Sequence, residues 1–415
     1  ENALEELTHS GLDLKGKGDV YFFLKNYCIE NLILLGKEQR EKILQLLEWE
    51  ALGESILTPL LKDPDFEEIV INGSTKPIMV YHHVFGWLQS NCYFTNDQKI
   101  KTILNKMAST LGRQLSYSNP ILDTVLVDGS RLNASMDPIA FSGINATIRK
   151  FKENPMTPKN IIEMKTINEK ATAFLWLAMQ TSCSVLVCGN TGSGKTTTLN
   201  SLFCFLPSKE RVVVVEETPE IVLPQEHKVK LNTSENIGVG LEKLIENTFR
   251  MRPDRVIVGE VRSQKECKGF VNTMLAGQAK GSYATFHAES ALEALQRMQS
   301  MGVEKDSLDS IDLIVVQKRI QKISKSGHRK EERKVTEICE IEKEGKLRTL
   351  FEFDYNTGKL KEKNKSVRIL NKIMQTFSIN KTEYDKLLHN KEICLKKMNG
   401  KTTFKDFFKL AEVNS

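Results

Sequence analysis

No apolar run in the 415 residues approaches the roughly 20 needed to cross a bilayer; the longest is Ala173 to Met179. The opening stretch, ENALEELTHS, is acidic and lacks the basic-then-apolar order of a secretory signal. It also lacks Met, so the chain is expected to start at a truncated or engineered boundary. None of the eight cysteines forms a CxxC pair, which excludes zinc-ribbon spacing. Cys183 and Cys188 bracket an apolar run, where a reduced thiol acts as a small hydrophobe. No internal repeat is present. Secreted, membrane-spanning and collagen-like readings are excluded, and a reducing, cytoplasmic location is expected.

What is present is an ordinary globular composition, 40% apolar and 27% charged, long enough for two to four domains. Charge is unevenly shared. From Lys318 to Ser415 there are 25 Lys/Arg against 14 Asp/Glu, so the preceding residues are net acidic although the whole chain is +6. A basic tail suits an anionic membrane surface, nucleic acid, or simply a solvated lysine-rich face. Its lysines are dispersed, without interleaved aromatics, so no nucleic-acid motif emerges and nucleic acid is not an expected partner.

Residues 1–50 read as a helical N-terminal segment. Residues 51–150 read as a smaller α+β domain, with short β-branched strands punctuated by NGSTKP and a helix over Asp97–Leu111. The stretch 151–160, FKENPMTPKN, carries two prolines and no periodicity, which marks a hinge linker. From 161 to 317 continuous apolar strands alternate with helices: Ser184–Cys188, Arg211–Val215, Arg255–Val258, Ser282–His287 and Leu313–Val316. That pattern indicates a mainly parallel sheet covered on both faces. Residues 318–415 read as a basic α+β/helical tail, with strands over Val335–Ile341 and Leu347–Tyr355.

Gly189-Asn190-Thr191-Gly192-Ser193-Gly194-Lys195-Thr196 fits GxxxxGK[ST] and lies between a strand and a helix, as that motif requires. Glycines permit turns that aim backbone N–H groups inward, and the helix N-terminus favours phosphate. With Thr197, these residues are the nucleotide-binding candidates. Lys195 is suited to the β- and γ-phosphates and Thr196 to Mg²⁺. The second strand ends in Glu216-Glu217-Thr218-Pro219-Glu220, where a carboxylate can hold Mg²⁺ or orient water. Arg255–Arg262 places Glu260 at a third strand end, where it can polarise water and, with Glu217, serve the metal. Arg262 is positioned either for a phosphate or to lock Glu260. His287 follows the fourth strand, in reach of a γ-phosphate whose loss it would report.

In this order, GNTGSGKTTTLNSL, VVVVEETPEI, RMRPDRVIVGEVRSQKE and TMLAGQAKGSYATFHAES strongly resemble the secretion ATPase superfamily of type II and type IV secretion, type IV pili and archaella. They are similar to its Walker A, acidic, Walker B and His boxes. Upstream, LKDPDFEEIVINGSTKPIMVYHHVFGWL, GRQLSYSNPILDTVLVDGSRLNA and GINATIRKF resemble its N-terminal domain, archaeal members above all. The resemblance runs from about residue 52 to about 355. Two departures stand out: Glu217 replaces the family's usual Asp, and no tetracysteine zinc module is present.

The resemblance implies an α/β P-loop (RecA-like) motor domain with a smaller α+β domain before it and a small α+β/helical tail after it. It implies ATP and Mg²⁺ as cofactors, and a homohexameric ATPase peripheral at the cytoplasmic face of the membrane. The partners implied are a polytopic platform protein and, indirectly, pilin-like subunits. ATP is favoured over GTP because the nearest approach to a guanine-reading NKxD is Asn380-Lys381-Thr382-Glu383. Arginines for the transition state are expected from Arg113, Arg131 and Arg149 of the upstream domain, some crossing to a neighbouring subunit. A nucleic-acid-translocating P-loop motor and a nucleotide-dependent scaffold are the competing readings.

Overall fold

The computed structural model describes residues 16–109, 112–151, 155–234, 238–277, 279–323 and 329–414, with Ala3, Glu6, Leu7 and Leu14. The chain divides into two compact units, Glu1–Phe151 and Lys152–Ser415. Among the described residues no helix is long and apolar enough to cross a membrane.

The first unit is built on six antiparallel strands: β1 (Phe66–Asn72), β2 (Pro77–His82), β3 (Gly86–Tyr93), β4 (Ile121–Val125), β5 (Arg131–Ser135) and β6 (Asn145–Arg149). Their spatial order is β3-β2-β1-β6-β5-β4. Inward residues alternate along β1, β2, β4, β5 and β6, so Ile69, Ile71, Leu132 and Ile148 face one core. The helix Asp97–Ser109 adds Ile100, Ile103, Leu104 and Ala108 to that core at helical spacing. Leu111, the last position of the expected periodicity, lies outside the described residues. Helices Lys17–Glu30 and Lys37–Ala51 bury Val20, Leu24 and Leu47 in a small cluster of their own.

The second unit holds a nine-stranded sheet: β7 (Val185–Cys188), β8 (Val212–Glu216), β9 (Lys228–Asn232), β10 (Arg255–Val261), β11 (Gly281–Phe286), β12 (Leu313–Ile323), β13 (Arg329–Glu342), β14 (Lys346–Asp354) and β15 (Lys359–Glu362). The order is β15-β14-β13-β12-β7-β11-β10-β8-β9. Strands from β12 through β9 run parallel; β13, β14 and β15 add antiparallel. Strand β7 is buried along its whole length. Val185 and Val187 enter a core with Phe174, Trp176 and Phe205, while Leu186 and Cys188 enter another with Phe270 and Phe286. Two covered faces explain the unbroken apolar strands.

Two features differ from the sequence reading. The boundary drawn at 317/318 falls inside β12, and the basic segment beyond it extends the same sheet. The hydrogen-bond ladder continues across that point because β12 pairs with β7 on one side and β13 on the other. Buried Asp312 also ties the tail to β7: it accepts from the Ser184 N–H at 2.8 Å and pairs with Arg368 and Lys372, each at 2.7 Å. Secondly, Pro158–Asn160, part of the expected hinge, open a helix capped by Thr157, with Pro158 in the first turn where its missing N–H costs nothing. Residues 152–154 of that hinge lie outside the described residues.

Candidate functional site

The loop 189–194 leaves the carboxyl end of β7 and feeds the helix Lys195–Leu202. Its two ends have no room for side chains. A Cβ on Gly189 would lie 2.1 Å from the Gln317 carbonyl oxygen, and one on Gly194 (φ +93°) would lie 2.8 Å from Gln317 Nε2. The Gly189 N–H is bonded to the Phe286 carbonyl at 3.2 Å, which ties the loop to the end of β11. Lys195 is buried, its Nζ donating to the carbonyls of Gly189 at 2.9 Å and Asn190 at 3.3 Å. Burial lowers its pKa, and Glu260 opposes that shift. Ser193 Oγ is buried without a hydrogen-bond partner. Thr196 and Thr197 follow, half-buried in the first helical turn.

Strand β11 lies next to β7 in the sheet, and β10 and then β8 follow. The β10–β11 register slips between Val258 and Glu260, a bulge at Gly259 that re-aims the residue after it. Gly259 is also where the Glu216 side chain crosses: an added Cβ would meet Glu216 Cγ at 2.9 Å. Glu260 consequently stands at the strand end, with Oε1 2.7 Å from His287 Nε2 and 3.8 Å from Lys195 Nζ. Its other oxygen accepts from Arg262 Nε at 2.7 Å. Arg262 Nη1 reaches Glu217 Oε2, also at 2.7 Å, so one guanidinium bridges the ends of β8 and β10. Burial, followed by Lys195, lowers the pKa of His287 against the pull of Glu260. The neutral imidazole then donates Nε2–H to that carboxylate.

Of the acids expected from sequence, Glu260 and Glu217 share Arg262, whereas Glu216 is placed differently. Glu216 is 2% exposed, and its Oε1 accepts the N–H groups of Glu220 at 2.9 Å and Ile221 at 2.8 Å. It holds the turn that carries Glu217 and Glu220. Burial pushes its carboxyl up to about 7. Arg113, Arg131 and Arg149 belong to the other unit. There Arg131 pairs with Asp123 at 2.9 Å, Arg113 donates to the Asp123 carbonyl, and Arg149 is the cross-strand partner of Arg131. Among the described residues no group of three His, Cys, Asp or Glu is arranged to hold a metal by itself.

The loop's further partners carry no motif. Asn190 Nδ2 donates to Glu289 Oε1 at 2.6 Å, Arg333 Nε donates to the Gly192 carbonyl at 3.0 Å, and the Thr198 hydroxyl donates to buried Gln317. Arg297 donates to the His287 carbonyl. These contacts join positions 10 to 141 residues apart in sequence, and no local pattern announces them.

The family model for type II/IV secretion system proteins matches residues 51–408. An uncharacterized protein of Methanocaldococcus jannaschii is 32% identical over 334 residues, 78% of this chain and 59% of that protein. The chain thus spans about three-fifths of that relative's length. The type IV secretion system protein VirB11 of Bartonella quintana is 29% identical over 317 residues, 64% of this chain and 88% of VirB11. The X-ray structure of the Yersinia pseudotuberculosis ATPase DotB is similar in fold, with a TM-score of 0.50 at 15% identity, covering 87% of this chain and 92% of DotB. The matched segment takes in the glycine-rich loop, both acidic strand ends and His287, and the chain belongs to the type II/IV secretion system protein family.

Proposed function

We propose that this chain is an ATP-hydrolysing motor subunit with a RecA-like core, working in a secretion or pilus-type system. The observation that carries the reading is the meeting of Lys195, Glu260 and His287 at the carboxyl ends of three adjacent parallel strands, where ligands bind in open α/β sheets. Glycine loop, helix N-terminus and buried lysine together make a phosphate cradle. The residues fit a triphosphate: Ser193 Oγ is a buried polar atom without a partner, and the Lys195 ammonium rests on loop carbonyls that phosphate oxygens can replace. The similar proteins support the reading, VirB11 as a type IV secretion protein and DotB as an ATPase.

In this reading Thr196, Glu217 and Glu260 would hold Mg²⁺, which supplies charge neutralisation at the phosphates. Glu260 is the acid that polarises the attacking water: Arg262 anchors Oε2 and His287 orients Oε1. His287, bonded to Glu260 and close to Lys195, senses whether the terminal phosphate is present. Glu217 and Glu220 line the same edge, and Glu216 positions them. The resemblance further assigns Arg113, Arg131 and Arg149 to transition-state charge, some reaching a neighbouring subunit of a homohexamer. A polytopic platform protein at the cytoplasmic membrane face would receive the movement and pass it to pilin-like subunits.

The test is Mg²⁺-dependent phosphate release from ATP by the purified chain. Lys195→Ala is expected to abolish it. Release that survives this substitution contradicts the proposal.

A further inference from the structure

Strands β12 and β13 set two arginines over the glycine-rich loop. Arg319 and Arg333 are direct cross-strand partners, so both guanidinium groups leave the same face of one ribbon. Like charges directly opposite each other destabilise an antiparallel pair. Arg333 Nε donates to the Gly192 carbonyl at 3.0 Å. A Cβ on Gly194 would lie 3.4 Å from Arg333 Cδ, and one on Gly192 would lie 3.7 Å from Arg319 Nη1. Arg319 pairs with Glu331 at 3.4 Å, yet about half of its side chain stays exposed.

The ribbon is held firmly at this point. Its register shifts between Val316 and Gln317, and buried Gln317 packs under the loop while accepting the Thr198 hydroxyl. The backbone that carries both arginines is therefore fixed relative to the loop.

We infer that Arg319 and Arg333 form a cationic clasp, supplied by the same subunit, for the polyphosphate of a nucleoside triphosphate held at residues 189–196. This rests on the nucleotide reading of that loop. A triphosphate brings several negative charges that one lysine does not balance, and guanidinium forks match phosphate oxygens in geometry and charge. An anion beside both arginines also adds to the charge balance that Glu331 gives to Arg319. The pair acts on affinity and phosphate position, separately from the acids at the ends of β8 and β10.

The experiment titrates a fluorescent ATP analogue, mant-ATP, into the 415-residue chain, with melting temperature measured in the absence of nucleotide. Wild type, Arg319→Gln, Arg333→Gln, the double variant and Lys195→Ala are compared. Each single arginine variant is expected to weaken binding on the order of tenfold, as loss of a charged hydrogen bond does, and the double variant more. The salt dependence of binding should become shallower in each, while the nucleotide-free melting temperature stays level or rises. Arg333→Lys should recover part of the affinity. Unchanged affinity in both arginine variants, with binding still lost in Lys195→Ala, overturns the clasp and leaves the nucleotide reading standing. Lower melting temperature with unchanged affinity also overturns it, since the arginines then only brace the loop. No binding by the wild type overturns the nucleotide reading and the clasp together.

Discussion

Gly189→Ala tests the close approach on which the loop depends, together with the backbone strain that φ +155° imposes on any side chain there. The new methyl would sit 2.1 Å from the Gln317 carbonyl oxygen and 2.5 Å from Ser193 Oγ. Ser193 can rotate away; a backbone carbonyl in a sheet cannot. Non-bonded heavy atoms settle at roughly 3.5 Å, so the loop or β12 must shift by more than about 1 Å. Overpacking of this kind costs about 1–3 kcal/mol, and a unit of this size loses about 2–4 °C of melting temperature per kcal/mol. The larger effect falls on chemistry, because a 1 Å displacement at a reacting centre costs about 10²-fold. The control is Gly277→Ala, at φ +63° with nothing within 4 Å of the added carbon. It carries only backbone strain of about 1–2 kcal/mol and should leave turnover unchanged. Phosphate release and thermal melting are measured side by side. Turnover within about twofold of wild type in Gly189→Ala, with melting no lower than in the control, would refute the argument that this contact sets the loop.

Three further outcomes follow from the geometry. Glu216 has its carboxyl raised by burial to about 7, above its ordinary 4.5, so the native state keeps a proton that the unfolded chain has lost between those values. Its contribution is whole below pH 4.5 and is lost as pH rises through 7, by about 3 kcal/mol. Glu216→Gln should therefore melt close to wild type near pH 5 and above it at pH 8; a difference that does not change with pH contradicts this placement. His287→Ala should bind ATP normally yet turn over about 10–100-fold more slowly; a lowered melting temperature with unchanged turnover per folded molecule would make the histidine structural. Mixing Arg131→Ala with Lys195→Ala subunits should restore activity that neither has alone, and failure to restore it removes donation between subunits.

Much of the second unit is legible in sequence because its strands are buried on both faces. Val212–Val215 is an unbroken apolar run ending in acids, and the helix after Lys195 follows from the glycine motif. Strand β9, KVKLN, escapes notice: it is an edge strand of five residues, and its polar–apolar alternation rests on Val229 and Leu231 alone. The antiparallel strands β13 and β14 read as elements and β15 does not, and sequence alone does not show that any of them joins the parallel sheet. At the site, residue types at strand ends can be picked out, whereas their mutual geometry cannot. The bulge at Gly259 decides where Glu260 points, and it depends on the packing of Glu216 from a neighbouring strand. Arg262 is a local candidate, but its bridge to Glu217 spans 45 residues. Gln317, Arg319 and Arg333 approach the loop only because β12 pairs with β7, a contact that no local motif encodes.

The most direct test of the account separates binding from hydrolysis in Glu260→Gln. The substitution keeps the size of the side chain and a hydrogen-bond acceptor while removing the charge that His287 and Arg262 hold in place. Affinity for mant-ATP should stay within a few-fold of wild type, while single-turnover phosphate release falls by about 10²–10⁴-fold, the range for loss of a general base. Release at near wild-type rate from Glu260→Gln, with binding intact, would contradict the assignment and move the water-activating role to Glu217 or Glu220.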